Sequence, residues 1–585
     1  MRVADYLLER LAAEGIDTAF MVYGGAMGEL ADAFTRQNAM RYVCAQHEQA
    51  AGFMAEGYAK TKGVPGLAIA TSGPGGGNLV TAIQNCYYDS IPCVFITGQV
   101  NSKFMRPDLQ VRQLGFQETP IVDMVRPITK YAKTIISASQ IAQAVTDAIG
   151  YARVGRPGPV LLDLPVDVQK AEHVPTNSLW PAWPFSAGVD ENIAQFMKDL
   201  ADAKRPVLLI GGGCANYKEE FRELAQTLQI PAFPTWNALD VVTSDLPCYG
   251  GRIGTYGGEG RNFGLANADL LLAIGCRLSG RITGGDPGSF ARGAKKYVVD
   301  VDPALLNPEW QPVKADVNIL CDAGEFMRRL KARALDRDYG VFADWRRQVK
   351  DWRVRYDPVL PEHFGEFHHY GFMRRLSSHI PANAIITADT GGNVIMFAHA
   401  FDTKKSQRYF TSNGNTPMGF SMCGAIGAWF ADPSRPIICI IGDGGMQLNI
   451  QELQTIVHYQ IPLKIFVINN RILGNTKSYQ RVNKKPEIAC GPDGYSAPNF
   501  VAIAHAYGIE AMSLGEWERF DYVVGRALAS DKACLVDVVH DDFCQYEPRM
   551  SRWDTPIEEM APFLSRAEFK NNMLIEPYAG WEKTA

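Results

Sequence analysis

The length, composition and charge of the chain describe a globular protein of several domains. Its 585 residues exceed what one hydrophobic core supports, so we expect three or four domains of about 150–200 residues each. Hydrophobic residues make up 46% and charged residues 21%, with a net charge of −5 and no basic run. This balance excludes a nucleic-acid-binding protein, which would need a positive surface.

The first residues and the cysteines limit where the protein works. The opening sequence, MRVADYLLERLAAEG, has an amphipathic pattern with acidic side chains, unlike a signal peptide. No apolar segment reaches the ~18 residues of a membrane span. The 12 cysteines are scattered without a CxxC pair, so we expect reduced thiols, no cysteine-bound metal and a cytoplasmic protein.

Residues 1–180 alternate short apolar strands with helical patterns, which predicts an α/β domain. The predicted strands are Ala19–Tyr23, Tyr42–Ala45, Leu67–Thr71, Cys93–Thr97 and Val160–Leu164, and a helix of small residues spans Ala50–Lys60. Polar or glycine-rich motifs follow four of these strands: YGGA at 23–26, HEQ at 47–49, SGPGGGN at 72–78 and GQ at 98–99. Residues 170–190, with several prolines and tryptophans, predict a linker.

Residues 191–345 predict a second α/β domain. Its strands are Val207–Ile210, Leu270–Ile274 and Tyr297–Val301, and the first two run into Gly211-Gly212-Gly213 and Gly275-Cys276-Arg277. Asp300 lies in the third strand and Asp302 directly after it. Charge-rich helical sequence, Ala323–Arg355, leads to a second linker.

Residues 365–545 predict a third α/β domain, whose first strand, Ala384–Thr387, precedes the clearest chemical signal. A strand at Pro436–Ile441 ends in Gly442-Asp443-Gly444, and a strand at Leu463–Ile468 ends in Asn469-Asn470. In a parallel sheet both ends lie at the edge where ligands bind. Carboxylate and amide oxygens suit Mg²⁺, and glycines at a helix start let backbone N–H groups approach a diphosphate. For the GDG turn alone, a tight structural turn is the alternative.

The predicted fold is therefore α/β, with three consecutive doubly wound parallel-sheet domains at 1–180, 191–345 and 365–545. The C-terminal tail, 546–585, has little periodicity. We expect it to wrap over the globular body, with local disorder as the alternative. We interpret His368-His369 as a solvated linker pair, because it precedes the third domain and is not placed for catalysis.

Several motifs, in matching order over about residues 1–540, resemble those of acetolactate synthases, which are thiamine diphosphate (ThDP) enzymes. They are YVCAQHEQAAGFMAEGYAK at 42–60, the glycine-rich stretch at 70–100, GRPGPVLLDLPVDVQ at 155–169, TPMGFSMCGAIGA at 416–428 and the GDG…NN stretch. The resemblance implies a pyrimidine-binding domain, a central domain and a diphosphate-binding domain. It also implies an active site shared between two subunits of a homodimer or homotetramer.

The resemblance assigns the cofactor's ring system to three residues. Glu48 matches the glutamate at the pyrimidine N1′ that activates ThDP, and Met418 matches the apolar wedge that bends the cofactor. The backbone carbonyl of Thr416 matches the acceptor for the 4′-amino group. Without the flanking motifs, Glu48 would be a helix cap and Met418 core filler. We expect Glu48 to lie in an apolar pocket that favours its protonated form.

The diphosphate and its metal are assigned to the third domain in the same way. Asp443 and Asn470 match the side-chain ligands of Mg²⁺, with the backbone carbonyl of Ile472 as a third. The implied phosphate contacts are Gly391, Gly392, Asn393, Gly442, Gly444, Gly445 and Gly474. Acetolactate synthases often carry Gly-Gln-His where this chain has Gly391-Gly392-Asn393, so two side-chain donors are reduced to one.

On the substrate side, the first domain carries three candidate residues. Phe116 and Gln117 match a substrate-facing pair of the family. Gly25 lies in the loop that covers the thiazolium ring, where Tyr23 replaces the usual proline and puts a large ring at the mouth of the site.

The segment after the metal site departs most from the family. Residues Gly474–Gln480 are more polar than their counterparts: Asn475 replaces an apolar residue, and Tyr479 replaces a tryptophan that helps to select the second 2-oxo acid. This favours a larger or more hydroxylated acceptor. Neutral drift in a surface loop is the alternative.

The central domain resembles the FAD-binding domain of these enzymes. The implied FAD residues are Gly211, Gly212, Thr255, Arg277 and Asp300. Glycine-rich strand ends also occur when this kind of domain binds nothing. Arg281 is retained in a segment that has lost two acidic positions, and it could hold a substrate carboxylate in a bidentate pair. A surface ion pair is its alternative.

Together these matches imply a ThDP- and Mg²⁺-dependent carboligase that acts on small molecules, with FAD in a structural role. The enzyme would decarboxylate a 2-oxo acid, pyruvate, and transfer the two-carbon unit to a second 2-oxo acid. A keto-sugar is the other acceptor class, because the polar segment and the tail resemble homologues associated with surface-polysaccharide sugar synthesis. The alternatives are a pyruvate oxidase-type enzyme that passes electrons to FAD, and a catalytically silent regulatory homologue.

Overall fold

The computed structural model describes residues 1–108, 110–173, 180, 188–335, 337–540, 545–550 and 552–583. These residues form three parallel sheets in chain order, each with helices on both faces. The predicted fold class, three consecutive doubly wound α/β domains, is therefore confirmed. The predicted linker at 170–190 lies mostly outside the described residues.

The first domain contains six strands, β1 (Thr18–Met21), β2 (Arg41–Cys44), β3 (Gly66–Ala70), β4 (Cys93–Gln99), β5 (Tyr131–Thr134) and β6 (Pro159–Pro165). Its helices are α1 (Val3–Ala13), α2 (Gly28–Phe34), α3 (Glu48–Lys62), α4 (Pro74–Asn78), α5 (Val80–Asp89), α6 (Ile121–Val125), α7 (Ile141–Arg153) and α8 (Val166–Lys170). The strands pair in parallel in the order β2-β1-β3-β4-β6-β5. The order reverses between β1 and β3, which opens a crevice at their carboxyl ends.

The central domain contains five strands, β7 (Pro206–Ile210), β8 (Ala232–Pro234), β9 (Leu270–Ile274), β10 (Lys295–Asp300) and β11 (Val317–Leu320). Its helices are α9 (Val189–Asp202), α10 (Lys218–Leu228), α11 (Phe263–Ala266), α12 (Gly280–Thr283), α13 (Ala323–Ala334) and α14 (Ala343–Arg355). The sheet order is β11-β10-β9-β7-β8, with the reversal between β7 and β9. The predicted boundary at residue 345 falls inside α14.

The third domain contains six strands, β12 (Ile385–Ala388), β13 (Arg408–Phe410), β14 (Ile437–Gly442), β15 (Lys464–Asn469), β16 (Glu510–Leu514) and β17 (Cys534–Val539). Its helices are α15 (His369–His379), α16 (Gly392–Ala400), α17 (Phe420–Ala431), α18 (Asp443–Leu448), α19 (Leu453–His458), α20 (Gly474–Val482), α21 (Phe500–Ala506) and α22 (Phe520–Ala529). The order β13-β12-β14-β15-β17-β16 reverses between β12 and β14. The GDG turn that follows β14 therefore lies at the crevice.

The predicted strands are all present, with ends that shift by one or two residues. They were predictable because strands covered on both faces are continuous apolar runs, as in β14 and β15, which are buried throughout. The sequence pattern missed β5, β8, β11, β13, β16 and β17. All of these except β17 lie at sheet edges, where strands are short or only partly buried.

The interpretation of His368-His369 as a solvated linker pair is wrong. His368 caps α15, its Nδ1 accepting the N–H of Tyr370 at 3.2 Å, and His369 is fully buried. Burial, reinforced by the nearby His540, lowers the pKa of His369 to about 3. The histidine pair is therefore an uncharged part of the third domain's packing at neutral pH.

Most of the described part of the tail packs on the central domain, in agreement with the predicted alternative that it wraps over the globular body. Ile557 and Met560 are buried against central-domain side chains, and one further helix, α23 (Arg566–Asn572), follows. Asn572 accepts the indole N–H of Trp352 at 2.7 Å and donates to the Tyr356 hydroxyl at 2.7 Å. These buried hydrogen bonds fix the tail to α14 and the residue that follows it.

The first and third domains are joined by the antiparallel helices α3 and α17. A Cβ on Gly57 would lie 2.1 Å from the carbonyl oxygen of Gly424, and a Cβ on Gly427 would lie 1.9 Å from that of Met54. No side chain fits at either distance, so the two helix backbones touch directly. This contact fixes the first domain against the third.

A buried carboxylate connects the central domain to the other two. Asp240 accepts from Lys218 at 2.6 Å and from the guanidinium of Arg408 in β13 at 2.7 Å. The same guanidinium donates to the carbonyl oxygen of Lys60 in α3 at 2.7 Å. Although burial opposes ionisation, the two cations hold the pKa of Asp240 below its usual value.

We predict that Gly57→Ala destabilises the protein by about 2–3 kcal/mol, because the added methyl group pushes α3 from the backbone of α17. The matched control is Gly525→Ala in α22, where an added Cβ meets nothing within 4 Å. The control should keep or raise stability by the helix propensity of alanine, about 0.5–1 kcal/mol. Thermal unfolding of both variants measures the difference, and equal midpoints would contradict the close helix contact.

Candidate active site

The GDG turn presents a carboxylate in a form suited to a cation. Asp443 begins α18 directly after β14 and is buried. Its Oδ1 accepts the N–H of Gly444 at 2.9 Å, while its Oδ2 is buried without a hydrogen-bond partner among the described residues. Burial raises the pKa of Asp443 to about 7. Because an unpaired buried carboxylate is costly, the site fits a metal ion at Oδ2.

The second predicted metal ligand lies at the end of the neighbouring strand. Asn470 follows β15, which pairs in parallel with β14, and its Oδ1 accepts the N–H of Ile472 at 3.3 Å. Between them, Arg471 adopts a positive φ of 56°, which is strained for a non-glycine residue. The turn therefore brings Asn470 and the backbone of Ile472 to the same edge of the sheet as Asp443.

The start of α16 forms another wall of this crevice. Gly391, with φ at 79°, lets the chain turn into the helix after β12. Asn393 is buried and donates from Nδ2 to the carbonyl oxygen of Thr390 at 3.2 Å. A Cβ on Gly442 would lie 2.6 Å from the same Nδ2. The loops after β12 and β14 therefore pack against each other with no room for a side chain at residue 442.

The predicted wedge lies directly over the GDG turn. A Cβ on Gly444 would lie 2.8 Å from Cε of Met418. Thr416 is exposed with φ at 54°, a strained conformation of the kind that clusters at functional sites. The strained backbone thus lies at Thr416 itself, the residue whose carbonyl is predicted to accept a hydrogen bond from the 4′-amino group of the cofactor.

Asp389 organises these third-domain loops, although the sequence analysis did not select it. Its carboxylate accepts the N–H groups of Gly419 and Ser421 at 3.0 Å each. A Cβ on Gly445 would lie 2.1 Å from its Oδ2. Burial raises its pKa to about 6. Because Asp389 touches both the segment after Met418 and the GDG turn, it sets their relative position.

Glu48 begins α3 in the first domain and is only half-buried in the single chain. Its Oε2 accepts from Nδ2 of Asn78 at 2.9 Å, and a Cβ on Gly75 would lie 3.4 Å from its Oε1. The expected apolar pocket is thus not formed by one chain alone. The glycine-rich loop SGPGGGN holds the carboxylate from one side and leaves the other side open.

The other first-domain candidates gather around the same loop. Gln117 adopts a φ of 63°, and a Cβ on Gly73 would lie 2.9 Å from its Cβ. Phe116 is 86% exposed. Gly25 is exposed in the loop held by Thr71, whose Oγ1 accepts the N–H of Ala26 at 3.2 Å. Glu48, Gln117, Phe116 and Gly25 therefore form a first-domain half-site that faces solvent in the single chain.

The two half-sites of one chain point in different directions. Helices α3 and α17 pair residue 54 with 427 and residue 57 with 424, so Met418 lies opposite residue 63. Glu48 is 15 residues before that point, which is about 22 Å along the helix axis at 1.5 Å per residue. Glu48 and Met418 of one chain therefore lie at opposite ends of the α3–α17 pair.

A cleft of about 390 Å³ runs from the central domain to the third-domain crevice. It is lined by Gly211, Gly212, Arg277, Asp300, Arg281, Gly391, Thr416 and Asn475. Packing alone explains why residue 211 is a glycine, because a Cβ there would lie 2.0 Å from the carbonyl oxygen of Gly275. The glycine pattern alone is therefore no sign of a ligand, and only the cleft makes this part of the central domain a candidate binding site.

Among the residues predicted to bind FAD or the acceptor, Thr255 and Tyr479 do not line this cleft. Thr255 is buried, and its backbone pairs with the carbonyl of Arg281 and the N–H of Met550. Tyr479 is 64% exposed on α20. Asn475 at the start of the same helix does line the cleft, so the polar segment reaches the site at its first residues.

Glu452 is a further residue that the sequence analysis missed. It is buried and accepts the backbone N–H of Gln46 at 3.0 and 3.2 Å, two residues before Glu48. It also accepts from Thr455 at 2.7 Å, and burial raises its pKa to about 7. A lone acidic residue inside the apolar pattern of NIQELQTIV was the available signal. Glu452 anchors the loop that presents Glu48.

Comparison with known families defines the class of protein. Residues 1–123 match the thiamine pyrophosphate enzyme N-terminal TPP binding domain, residues 193–330 the central domain and residues 389–538 the C-terminal TPP binding domain. Thiamine pyrophosphate is another name for ThDP. The chain belongs to the thiamine pyrophosphate enzymes, and ThDP is its cofactor.

Within this family the chain is similar to acetolactate synthase large subunits. It is 34% identical over 561 residues to the probable acetolactate synthase large subunit of Methanocaldococcus jannaschii, covering 92% of each. It is 34% identical over 518 residues to the isozyme 1 large subunit of Escherichia coli (strain K12), covering 87% of this chain and 89% of that one. A chloroplastic acetolactate synthase of Arabidopsis thaliana is 32% identical over 556 residues, 92% of this chain and 81% of that protein. The chain is therefore a ThDP-dependent carboligase.

None of the helices within the described ranges is both long and apolar enough to cross a membrane. Likewise, the described residues contain no cluster of three or more His, Cys, Asp or Glu side chains that could hold a metal. A metal at Asp443 would therefore draw on amide, carbonyl and phosphate oxygens, as Mg²⁺ does.

We predict that Asp443→Ala weakens Mg²⁺-dependent ThDP binding by more than about 100-fold, because it removes the only charged protein ligand proposed for the metal. Quenching of tryptophan fluorescence by ThDP, with and without Mg²⁺, measures the affinity. Asp531→Ala, an exposed aspartate before β17, is the control and should bind as the wild type does. Unchanged affinity in Asp443→Ala would contradict the metal assignment.

Proposed function

We propose that this chain is a catalytic subunit that decarboxylates pyruvate and transfers the two-carbon unit to a carbonyl acceptor, as an acetolactate synthase does. The observation that carries the proposal is the buried, unpartnered oxygen of Asp443 beside three glycine turns, in a chain similar to acetolactate synthase large subunits over most of its length. The silent regulatory homologue is disfavoured because Glu48, Asp443 and Asn470 are all retained.

The third domain would hold the cofactor's tail. Asp443, Asn470 and the carbonyl of Ile472 would bind Mg²⁺, and the glycine turns at 391–392, 442–445 and 474 would offer backbone N–H groups to the diphosphate. The N-terminal ends of α16, α18 and α20 favour this negative charge. Met418, over the GDG turn, would bend the cofactor between its two rings.

When bound, ThDP supplies the carbanion that attacks the 2-oxo acid and stores the electrons left when CO₂ departs. Glu48 would hold a proton at the pyrimidine N1′, and the Thr416 carbonyl would accept a hydrogen bond from the 4′-amino group. Asn78 and Glu452 would position Glu48, the first through its carboxylate and the second through the backbone of Gln46. Closure by a second subunit would exclude water from the open face of Glu48.

We propose FAD as the occupant of the 390 Å³ cleft, in a structural role. The cleft reaches from the carboxyl ends of β7 and β9 to the third-domain crevice, which suits a long dinucleotide at a topological switch point. The relatives named above are acetolactate synthases, so an oxidase that reduces the flavin is not favoured.

Two residues at the third-domain end of the cleft would contact the substrates. Arg281 lines it with its guanidinium 5.6 Å from the ring centroid of Tyr256, and no described carboxylate forms an ion pair with it. The guanidinium is therefore available for a substrate carboxylate, which disfavours the surface ion pair. Asn475 would offer hydrogen bonds to the acceptor. Its polarity supports a keto-sugar as the second candidate acceptor, after a second pyruvate. Exposed Tyr479 would contact an acceptor only at the mouth of the site.

We predict that the purified protein with ThDP, Mg²⁺ and ¹³C-labelled pyruvate releases CO₂ and forms labelled 2-acetolactate, or a branched sugar when a keto-sugar is added. Mass spectrometry identifies the product, and Glu48→Gln should lose most turnover because the proton at N1′ is no longer held. The flavin spectrum under anaerobic conditions should stay unchanged during turnover. Bleaching of the flavin would favour an oxidase, and absence of CO₂ release from every 2-oxo acid would favour the silent homologue.

We propose that the protein is a homodimer or a dimer of dimers in which Glu48 of one subunit completes the site of the next. Support comes from the axial offset of about 22 Å between Glu48 and the level of Met418 within a chain, at 1.5 Å per helical residue. We further place the protein in the cytoplasm, since all cysteines of the described ranges are free and most are buried.

We predict that mixing inactive Glu48→Gln and Asp443→Ala chains, unfolded and refolded together, restores about a quarter of wild-type activity, because half of the random dimers carry one intact site of two. Each variant alone should stay inactive after the same treatment. Turnover of pyruvate at fixed total protein is the measurement. A mixture that stays inactive while the wild type recovers would contradict a shared site.

A further inference from the structure

One hydroxyl from the tail reaches two of the helix ends proposed to hold the diphosphate. Tyr546 is 2% exposed. A Cβ on Gly392 would lie 2.1 Å from its hydroxyl oxygen, and a Cβ on Gly474 would lie 2.4 Å from the same atom. The hydroxyl therefore sits against the first residue of α16 and the first residue of α20 at once.

This arrangement explains why residue 392 has no side chain. Any side chain would meet the Tyr546 ring and hydroxyl at the Cβ position itself, and 2.1 Å is far below van der Waals contact. The tyrosine hydroxyl therefore fills, from a distant part of the sequence, the space that a side chain at residue 392 would occupy.

The hydroxyl of Tyr546 also lies near the proposed metal site, as the neighbours of Gly474 indicate. A Cβ on Gly474 would lie 3.0 Å from Nδ2 of Asn470, the proposed metal ligand. The ring of Tyr546 packs in the hydrophobic cluster that contains Val394 and Ile395 of α16. The side chain is therefore anchored at its ring and presents its hydroxyl where both helices and the metal loop meet.

A second contact of the tail fixes α20 one turn further along. Arg549 donates to Oγ of Ser478 at 2.9 Å and to Oε1 of Gln545 at 3.2 Å, and Ser478 is buried. Tyr546 and Arg549 thus hold the buried face of the helix that carries Asn475. Beyond Arg549 the tail is bound to the central domain, so the stretch from Tyr546 to Arg549 connects α20 of the third domain to the central domain.

We propose that Tyr546 is a positioning residue of the diphosphate site: its hydroxyl holds the first turns of α16 and α20 at the spacing that points their backbone N–H groups toward one diphosphate. The proposal rests on the ThDP–Mg²⁺ site described above and adds the tail to it. On this proposal, Tyr546 helps to retain the cofactor although it lies outside residues 389–538, the region that matches the C-terminal TPP binding domain.

The test is Tyr546→Phe, which keeps the ring and removes the hydroxyl. We expect ThDP to bind about fivefold to tenfold more weakly in the presence of Mg²⁺, as loss of one hydrogen-bonding group predicts. The affinity for inorganic diphosphate, used as a competitor, should fall by the same factor, because the variant affects the end of the site that would hold the diphosphate of the cofactor. The melting temperature without cofactor should stay close to that of the wild type.

Tyr409→Phe is the matched control, because Tyr409 is a buried tyrosine of the same domain in β13 that stacks on Phe397 of α16, while none of its atoms is among the nearest neighbours of the glycines in the three turns. It should bind ThDP and diphosphate as the wild type does. If Tyr546→Phe lowers the melting temperature but leaves both affinities unchanged, Tyr546 is only part of the core and the proposal is overturned.

A double-variant cycle tests the contact itself. Gly392→Ala should weaken ThDP binding, because the new methyl group displaces the hydroxyl of Tyr546. In a Tyr546→Ala background the same change should have little further effect. Additive losses would overturn the proposal. Asp443→Ala serves as the reference: if it also leaves ThDP binding unchanged, the proposed cofactor site has failed, and otherwise only the role of Tyr546 has failed.

Discussion

The direct backbone contact between α3 and α17 is the constraint on which the rest of the structure depends. Because Gly57, Gly424 and Gly427 leave no side chains between the helices, the first and third domains are held as one body. The same antiparallel pairing sends Glu48 and Met418 to opposite ends. In the shared site that we propose, the packing that makes the chain rigid would therefore also make each chain incomplete as a catalyst. A second copy would supply the missing half of the site, although the fold of one copy is well packed.

Buried carboxylates organise the loops that surround the cofactor site. Asp389 accepts two backbone N–H groups after Met418, and Glu452 accepts one just before Glu48. Both lie away from solvent, where an acceptor without donors would be costly, so each loop is drawn to its carboxylate. Asp240 has the same effect between domains. These acids position the groups that would react, while the unpartnered oxygen of Asp443 lies in the turn proposed to hold the metal.

The sequence predicted the fold class because interior parallel strands are continuous apolar runs, and it located the GDG turn because glycine, aspartate and asparagine mark strand ends. Edge strands such as β5 and β13 escaped prediction since their residues are partly exposed or few. His369 was misjudged because burial of a polar ring leaves no periodic signal. Asp389 and Tyr546 could not be found from spacing, because the groups they hold lie 30 or more residues away and only the folded chain brings them together. For Glu452 the only signal was an acid inside an apolar pattern, which does not reveal that it holds Gln46.

The meeting of Tyr546 with Gly392 has an evolutionary consequence. Two positions more than 150 residues apart fill one volume, so neither can change alone without a gap or a collision. Among relatives, a glycine at the position of 392 should therefore occur together with an aromatic hydroxyl at the position of 546, and a larger residue at 392 with a smaller residue in the tail.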